Sequence, residues 1–371
     1  MQEVLPRIAA ALEAGEPVVL ATVVKRRGSL PMSNTAKMLV GADGSAAGTV
    51  GGGCLEAEVY AIAQTLLRQG GVSVERFDLT EIEDGLQGHV CGGSVTILTR
   101  PLFPSDSTRG VIQQAQQALE QGESAAFLSW VPPDSGADES QSEPPRAQHA
   151  VVRADGSVVS DASLPPSLPD IARDLAIDGR AELVSQVSPH DGSAYFVEPL
   201  QPPPTALIFG AGHCGRAIGR LAAGAGFLVQ MLEDRPAFLE EGRMLWAAGL
   251  HHVDFKELSP VAPDSYLVIV TRGHDHDLTI LRQVVGGQSA YLGMIGSARK
   301  RHLFEKTLRG EGIGEAELDR LRSPMGLAIG ADTPEEIAVA VVAEMIAVRR
   351  GAPVLPPMRS GKSSRHRAAP A

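Results

Sequence analysis

The chain has 371 residues, 43% of them hydrophobic and 21% charged, a size and balance that fit two or three domains with interior cores. A formal charge of −11 with no long basic face excludes general nucleic-acid binding. Three cysteines exclude a disulfide framework and fit a reducing compartment. The start, Met1 to Pro6, lacks the marks of a signal peptide, and no apolar run is long enough for a membrane, so a cytoplasmic protein is expected.

Ile8 to Leu12 reads as a short helix that Gly15 and Pro17 stop. Val18 to Val24 is nearly apolar throughout, the pattern of a strand central in its sheet. Lys37 to Val40 and the segment ending at Val50 flank Asp43-Gly44, a hairpin signal. Gly51-Gly52-Gly53-Cys54 follows and runs into a helix marked by Val59, Ile62, Ala63, Leu66 and Leu67. Strands are expected over 72–79 and 94–99, around an acidic loop that ends in Val90-Cys91-Gly92-Gly93. A helix over 111–119, strands over 125–131 and 150–153, a helix over 171–177 and strands over 183–187 and 195–197 complete an N-terminal α+β domain with a mixed sheet, residues 1–200. Residues 132–148, rich in Pro, Ser, Asp and Glu, read as a flexible insertion. Residues 201–204, with Pro202-Pro203-Pro204, read as a stiff linker.

Strand and helix alternate from 205 to 350, which makes the chain α/β and predicts a Rossmann-like, doubly wound parallel sheet. Strands are expected over 205–209, 227–232, 266–270 and 290–295, and helices over 216–225, after His276 and after Ser297. Thr333-Pro334-Glu335-Glu336 opens the last helix with a capping box. Residues 351–371 lack periodicity and read as a disordered tail.

Two glycine turns carry the chemistry. Gly51, Gly52 and Gly53 let backbone N–H groups converge without steric cost, and the helix behind them favours an anion. The same field favours the thiolate of Cys54, a nucleophile and a soft metal ligand; a small packing residue in a tight corner is the plain alternative. Glu56 is either a partner of that site or a first-turn acid suited to the helix dipole. Cys91 is a second ligand or a small turn residue, and Cys214 is structural.

In the second turn, Gly210-x-Gly212-x-x-Gly215 follows a strand, opens a helix and has Glu233-Asp234 at the next strand's end. That is the dinucleotide fingerprint, with either acid available to a ribose hydroxyl. Thr271 to Asp277 lies past a strand's carboxyl end, where His274, His276 and the two aspartates suit a metal, a proton shuttle, a polar ligand or a satisfied loop; the alternate spacing of the histidines disfavours a two-histidine zinc site. Gly293 to Ser297, followed by Arg299, Lys300 and Arg301, suits an anion or a solvated basic face.

The sequence resembles the xanthine dehydrogenase accessory proteins of the XdhC/CoxI type. The N-terminal likeness runs through Gly28-Ser29-x-Pro31, Ala36-Lys37-Met38-Leu39-Val40, Gly48 to Glu56 and Cys91-Gly92-Gly93. The C-terminal likeness runs through Gly210 to Gly215, Asp234-Arg235-Pro236, Thr271 to His274, Gly293 to Ser297 and Thr333-Pro334-Glu335. The sequence departs from the family pattern at Met32 and Thr35, where many relatives carry Arg and Gly.

The resemblance implies a non-enzymatic chaperone that binds molybdenum cofactor, as molybdopterin or a nucleotide-extended form. Such a chaperone protects the cofactor, supports its sulfuration and inserts it into a client molybdenum hydroxylase of the xanthine dehydrogenase type. It implies a cysteine desulfurase as sulfur donor and a homodimer. The residues it points to for the cofactor are Gly51, Gly52, Gly53, Cys54, Glu56, Cys91, Lys37, Gly210, Gly212, Gly215, Asp234 and His274, with Cys54 as the molybdenum ligand and a nucleotide at the Rossmann domain. The competing expectations are an NAD(P)-dependent oxidoreductase with His274 or Asp275 as acid or base, and a nucleotide-sensing module.

Overall fold

The computed structural model describes residues 1, 4–28, 30, 32–79, 93–132, 148–185, 194–239 and 241–353. The insertion and the tail expected from the sequence fall almost wholly outside these residues, as does Cys91. The chain divides into two compact units, Met1–Pro202 and Pro203–Ala371, and the division falls inside the triple proline. No helix among the described residues is long and apolar enough to cross a membrane.

The first unit runs α1 (Leu5–Glu13), β1 (Val18–Gly28), β2 (Lys37–Gly41), β3 (Ala46–Thr49), α2 (Gly53–Gln69), β4 (Ser73–Asp78), β5 (Gly93–Leu102) and α3 (Asp106–Glu120). It continues with β6 (Ala125–Val131), β7 (His149–Arg153), β8 (Val158–Ser160), α4 (Leu168–Ile177), β9 (Glu182–Val184) and β10 (Ala194–Leu200). The strands form two five-stranded sheets, ordered β3-β2-β1-β5-β4 and β8-β7-β6-β10-β9. Among the described residues every pairing in them is antiparallel. This corrects the expected mixed sheet: periodicity reveals a strand, but neighbour order depends on partners far away in the chain.

Strand β1 lies at the centre of its sheet, which explains its nearly apolar run from Val18 to Val24. Val19, Ala21 and Val23 meet Leu55, Val59 and Ala63 of α2 on one face. Val18 and Leu20 face the interior shared with α1, α3 and the second sheet. Helix α4 covers the second sheet's other face through Leu168, Ala172 and Leu175.

The second unit runs β11 (Thr205–Phe209), α5 (His213–Gly224), β12 (Leu228–Glu233), β13 (Gly249–His252), β14 (Tyr266–Ile269), α6 (His274–Val284) and β15 (Tyr291–Met294). It ends with α7 (Ala298–Gly310), α8 (Glu315–Asp319), β16 (Leu321–Arg322) and α9 (Pro334–Arg349). Its six strands are parallel in the order β13-β12-β11-β14-β15-β16, the doubly wound arrangement expected. The order reverses between β11 and β14, and ligands of such sheets bind at that point, beyond the strand ends. Helices α5 and α9 pack on one face and α6 and α7 on the other. Gly219 of α5 lies under the indole of Trp246, where an added Cβ would come within 2.5 Å of the ring. Thr333 and Glu336 form the expected capping box of α9.

Candidate functional site

The first glycine turn joins β3 to α2. Gly51, Gly52 and Gly53 all have positive φ, at 137°, 82° and 63°, which glycine alone adopts in succession without strain. A Cβ on Gly52 or Gly53 would meet nothing within 4 Å, so the outer surface of the turn is open. Cys54, next in the chain and in the first turn of α2, is exposed with a free thiol. Glu56 closes the inner side: its Oε1 accepts from Gly52 N–H at 3.1 Å and from Thr49 Oγ1 at 2.5 Å. Thr49 Oγ1 in turn accepts from Gly51 N–H at 3.1 Å. The turn therefore holds a carboxylate of its own, in keeping with the anion preference of a helix start.

The loop after β1 reaches this turn. Arg26 donates to the carbonyl of Met32 at 2.7 Å, and the Met32 methyl lies where a Cβ on Gly51 would stand, 2.3 Å from it. Met32, one of the positions where the sequence departs from the family pattern, is thus packed on the glycine turn. Lys37 is placed elsewhere. It is buried, and its ammonium donates to Glu198 of β10 at 2.7 Å and to the Thr35 carbonyl at 3.0 Å. Glu198 also accepts from the Met1 amine at 2.9 Å. Lys37 ties the two sheets together and offers no free charge to the turn, a role hidden in the sequence because Glu198 lies in a distant strand.

The second turn lies at the switch point of the parallel sheet. Gly210 has φ 116° and would place a Cβ 2.5 Å from the Val270 carbonyl, and a Cβ on Gly215 would stand 1.9 Å from the Gly210 carbonyl. These two glycines let helix, turn and neighbouring strand meet backbone to backbone. Gly212 differs, since a Cβ there meets nothing within 4 Å, and it caps α5 facing a cleft of about 210 Å³. Gly210, Cys214, Asp234, Phe255 and Arg272 are among the residues lining that cleft.

The structure separates the two acids that the sequence left equivalent. Glu233 is 1% exposed, and its carboxylate accepts from Ala211 N–H at 2.7 Å and from Arg235 Nε at 2.7 Å. Asp234 instead faces the cleft and is held by Arg272 through two bonds of 2.5 and 2.7 Å. The Arg272 guanidinium draws the Asp234 carboxyl down to about 2. Cys214, half-buried beside the cleft, has its thiol pushed upward by burial.

His274 begins α6 at the surface, its ring edge-on to Phe304 at 6.4 Å. It does not line the cleft, whereas its neighbour His276 stands 4.0 Å from Asp234. Sequence reasoning missed the pair between these loops, in which Asp277 accepts from Thr271 at 2.6 Å and from Lys300. Gly296 was its signal: a Cβ there would stand 2.7 Å from the Lys300 side chain, so that glycine lets the lysine fold back. Among the described residues no group of three or more His, Cys, Asp or Glu is arranged to hold a metal ion.

Comparison with known proteins gives the family. A model described as the XdhC Rossmann domain matches residues 206–345, and one described as the XdhC and CoxI family matches residues 11–78. The chain is 34% identical over 154 residues to YqeB of Escherichia coli, covering 40% of this chain and spanning 28% of that relative's length. It is 27% identical to a Bacillus subtilis protein described as a probable xanthine dehydrogenase subunit, covering 92% of this chain and 96% of the relative. It is 21% identical to the molybdenum cofactor insertion chaperone PaoD of Escherichia coli, covering 91% and 86%. A crystal structure of a protein named xanthine dehydrogenase, from Bacillus halodurans, shares the fold with a TM-score of 0.73 and 24% identity, over 94% of this chain and 96% of that one. The two family models together span more than half of the residues, and the chain belongs to the XdhC and CoxI family.

Proposed function

We propose that this protein is an accessory chaperone that binds molybdenum cofactor and inserts it into a hydroxylase of the xanthine dehydrogenase type. The observation that carries the reading is the turn of three left-handed glycines with an open outer surface beside the exposed Cys54 thiol. Two relatives, one named for xanthine dehydrogenase and one for molybdenum cofactor insertion, support the class of client and cargo.

The residues of the turn fit the cofactor. A phosphate-bearing pterin suits open glycine backbone at a helix start, and a thiol is the soft donor that molybdenum accepts. One protein ligand suffices, because the cofactor brings its own dithiolene sulfurs to the metal. When bound, the cofactor supplies the molybdenum centre that the client uses. The open surface at Gly52 and Gly53 would receive its anionic part and the Cys54 thiol would hold the metal, while Glu56 keeps the turn in shape by accepting from Gly52 N–H. In this reading the protein also holds the cofactor during sulfuration by a cysteine desulfurase, acts as a homodimer and turns over no substrate itself. The second unit takes the nucleotide of an extended cofactor, or a separate one, in the cleft between Gly212 and Arg272.

The test is molybdenum retained by the full chain purified from cells that make the cofactor. Cys54→Ala is expected to lose most of the metal and to fail in activating the client. Wild-type retention together with normal client activation by Cys54→Ala defeats the reading.

A further inference from the structure

The Asp234–Arg272 pair crosses the switch point. Asp234 follows the end of β12 and Arg272 follows the end of β14, and β11 lies between these strands with Gly210 at its tip. The pair therefore bridges the two walls of the cleft over the glycine turn. Both side chains line this cleft of about 210 Å³, so a ligand seated there that uses either of them must take it from the other.

The geometry points to Asp234 and Arg272 as an exchangeable clasp, opened by a nucleoside diphosphate whose phosphates take Arg272 and whose ribose diol takes Asp234. This rests on the second unit's cleft being a nucleotide site, as proposed above, and specifies which residues receive the ligand and what must break first. Glu233 also lines the cleft, 3.8 Å from Arg272, but it is 1% exposed and its carboxylate is taken up by Ala211 N–H and Arg235, which leaves Asp234 as the acid for the ribose. Arg235 is committed too, to Glu233 and to the face of Phe238 at 3.7 Å. Asp234 and Arg272 are the acid and base that remain at the mouth, 19% and 42% exposed in their side chains. The pair is bidentate and well made, yet water reaches both partners, so a ligand that offers each of them a charged or hydrogen-bonding replacement can take them over. Gly212, with no neighbour within 4 Å of an added Cβ, leaves the room in which the diphosphate meets α5.

The experiment is calorimetric titration of the full chain with ADP, 2′-deoxy-ADP and inorganic pyrophosphate, in wild type, Asp234→Asn and Arg272→Gln. Asp234→Asn frees the arginine, so pyrophosphate should bind more tightly, on the order of fivefold. The same variant should lose the wild-type preference for ADP over 2′-deoxy-ADP. Arg272→Gln should weaken both diphosphates by about tenfold. Melting curves of the variants close to wild type show that the fold is kept. If ADP binds but Asp234→Asn leaves pyrophosphate affinity and the ribose preference unchanged, the clasp is wrong and the nucleotide cleft stands. If neither diphosphate binds wild type or Asp234→Asn, the nucleotide reading falls and the clasp with it.

Discussion

The two glycine turns share one plan and differ in burial. In each, a strand runs into glycines, a helix follows, and a carboxylate accepts from a backbone N–H of the turn: Glu56 from Gly52, Glu233 from Ala211. Glu56 comes from the helix that the turn itself opens, and it lies partly at the surface. Glu233 comes from the neighbouring strand and is sealed by Arg235. The glycines differ in the same sense. Those at 210 and 215 admit close backbone contact, whereas those at 52 and 53 leave surface uncovered beside a thiol. A glycine run therefore says that side chains are excluded, and only the surroundings say whether packing or a ligand needs the room.

Methyl groups placed on the two turns test that difference most strongly. Gly215→Ala forces backbone apart and is expected to cost about 3 kcal/mol in denaturant unfolding. Gly52→Ala meets no neighbour but must hold φ 82° and ψ 171°, a strain of about 2 kcal/mol. Costs below about 1 kcal/mol at both positions would contradict the close packing at Gly215 and the strain at Gly52 alike.

Acid should separate the interiors next. In the first unit Arg100 donates to His149 Nε2 at 2.9 Å, and Asp161 lies 3.0 Å from Nδ1. Burial pushes the His149 imidazole below its ordinary value, and it also draws buried Arg100 down to about 10. The unfolded chain protonates this histidine near pH 6.5 and the folded chain only at lower pH. Its contribution is thus complete above about pH 6.5 and is lost as pH falls below, on the order of 1 kcal/mol per pH unit. Thermal melts between about pH 7 and pH 5 should show a falling midpoint that His149→Phe flattens. A wild-type midpoint constant over that window refutes the assignment.

The smallest effect is expected at Glu56. Glu56→Gln keeps an acceptor for Gly52 N–H at a partly exposed helix start, so unfolding should shift by about 0.5 kcal/mol. A loss as large as about 3 kcal/mol would make Glu56 a structural keystone like Glu233 and erase the contrast between the turns.

Much of the fold was legible because its signals are local. The apolar run of β1, the Asp43-Gly44 hairpin and the alternation after Pro204 each declare themselves within a few residues. Sheet order was not legible, since β1 pairs with β5 across more than sixty intervening residues. The candidate sites divide in the same way. Gly51 to Cys54 and Gly210 to Gly215 are contiguous and could be found, whereas Lys37 looked available until Glu198, 161 positions away, was seen beside it. Choosing Asp234 over Glu233 required the directions of two adjacent side chains at a strand end, which successive residues of a strand send to opposite sides.

The indole resting on Gly219 has an optical consequence. The chain contains two tryptophans, Trp130 on β6 of the first unit and Trp246 against α5 of the second. Each half thus carries its own fluorophore. Replacing one with phenylalanine leaves an emission signal that follows the other half alone, so the antiparallel sheets and the parallel sheet can be watched melting separately in the intact chain.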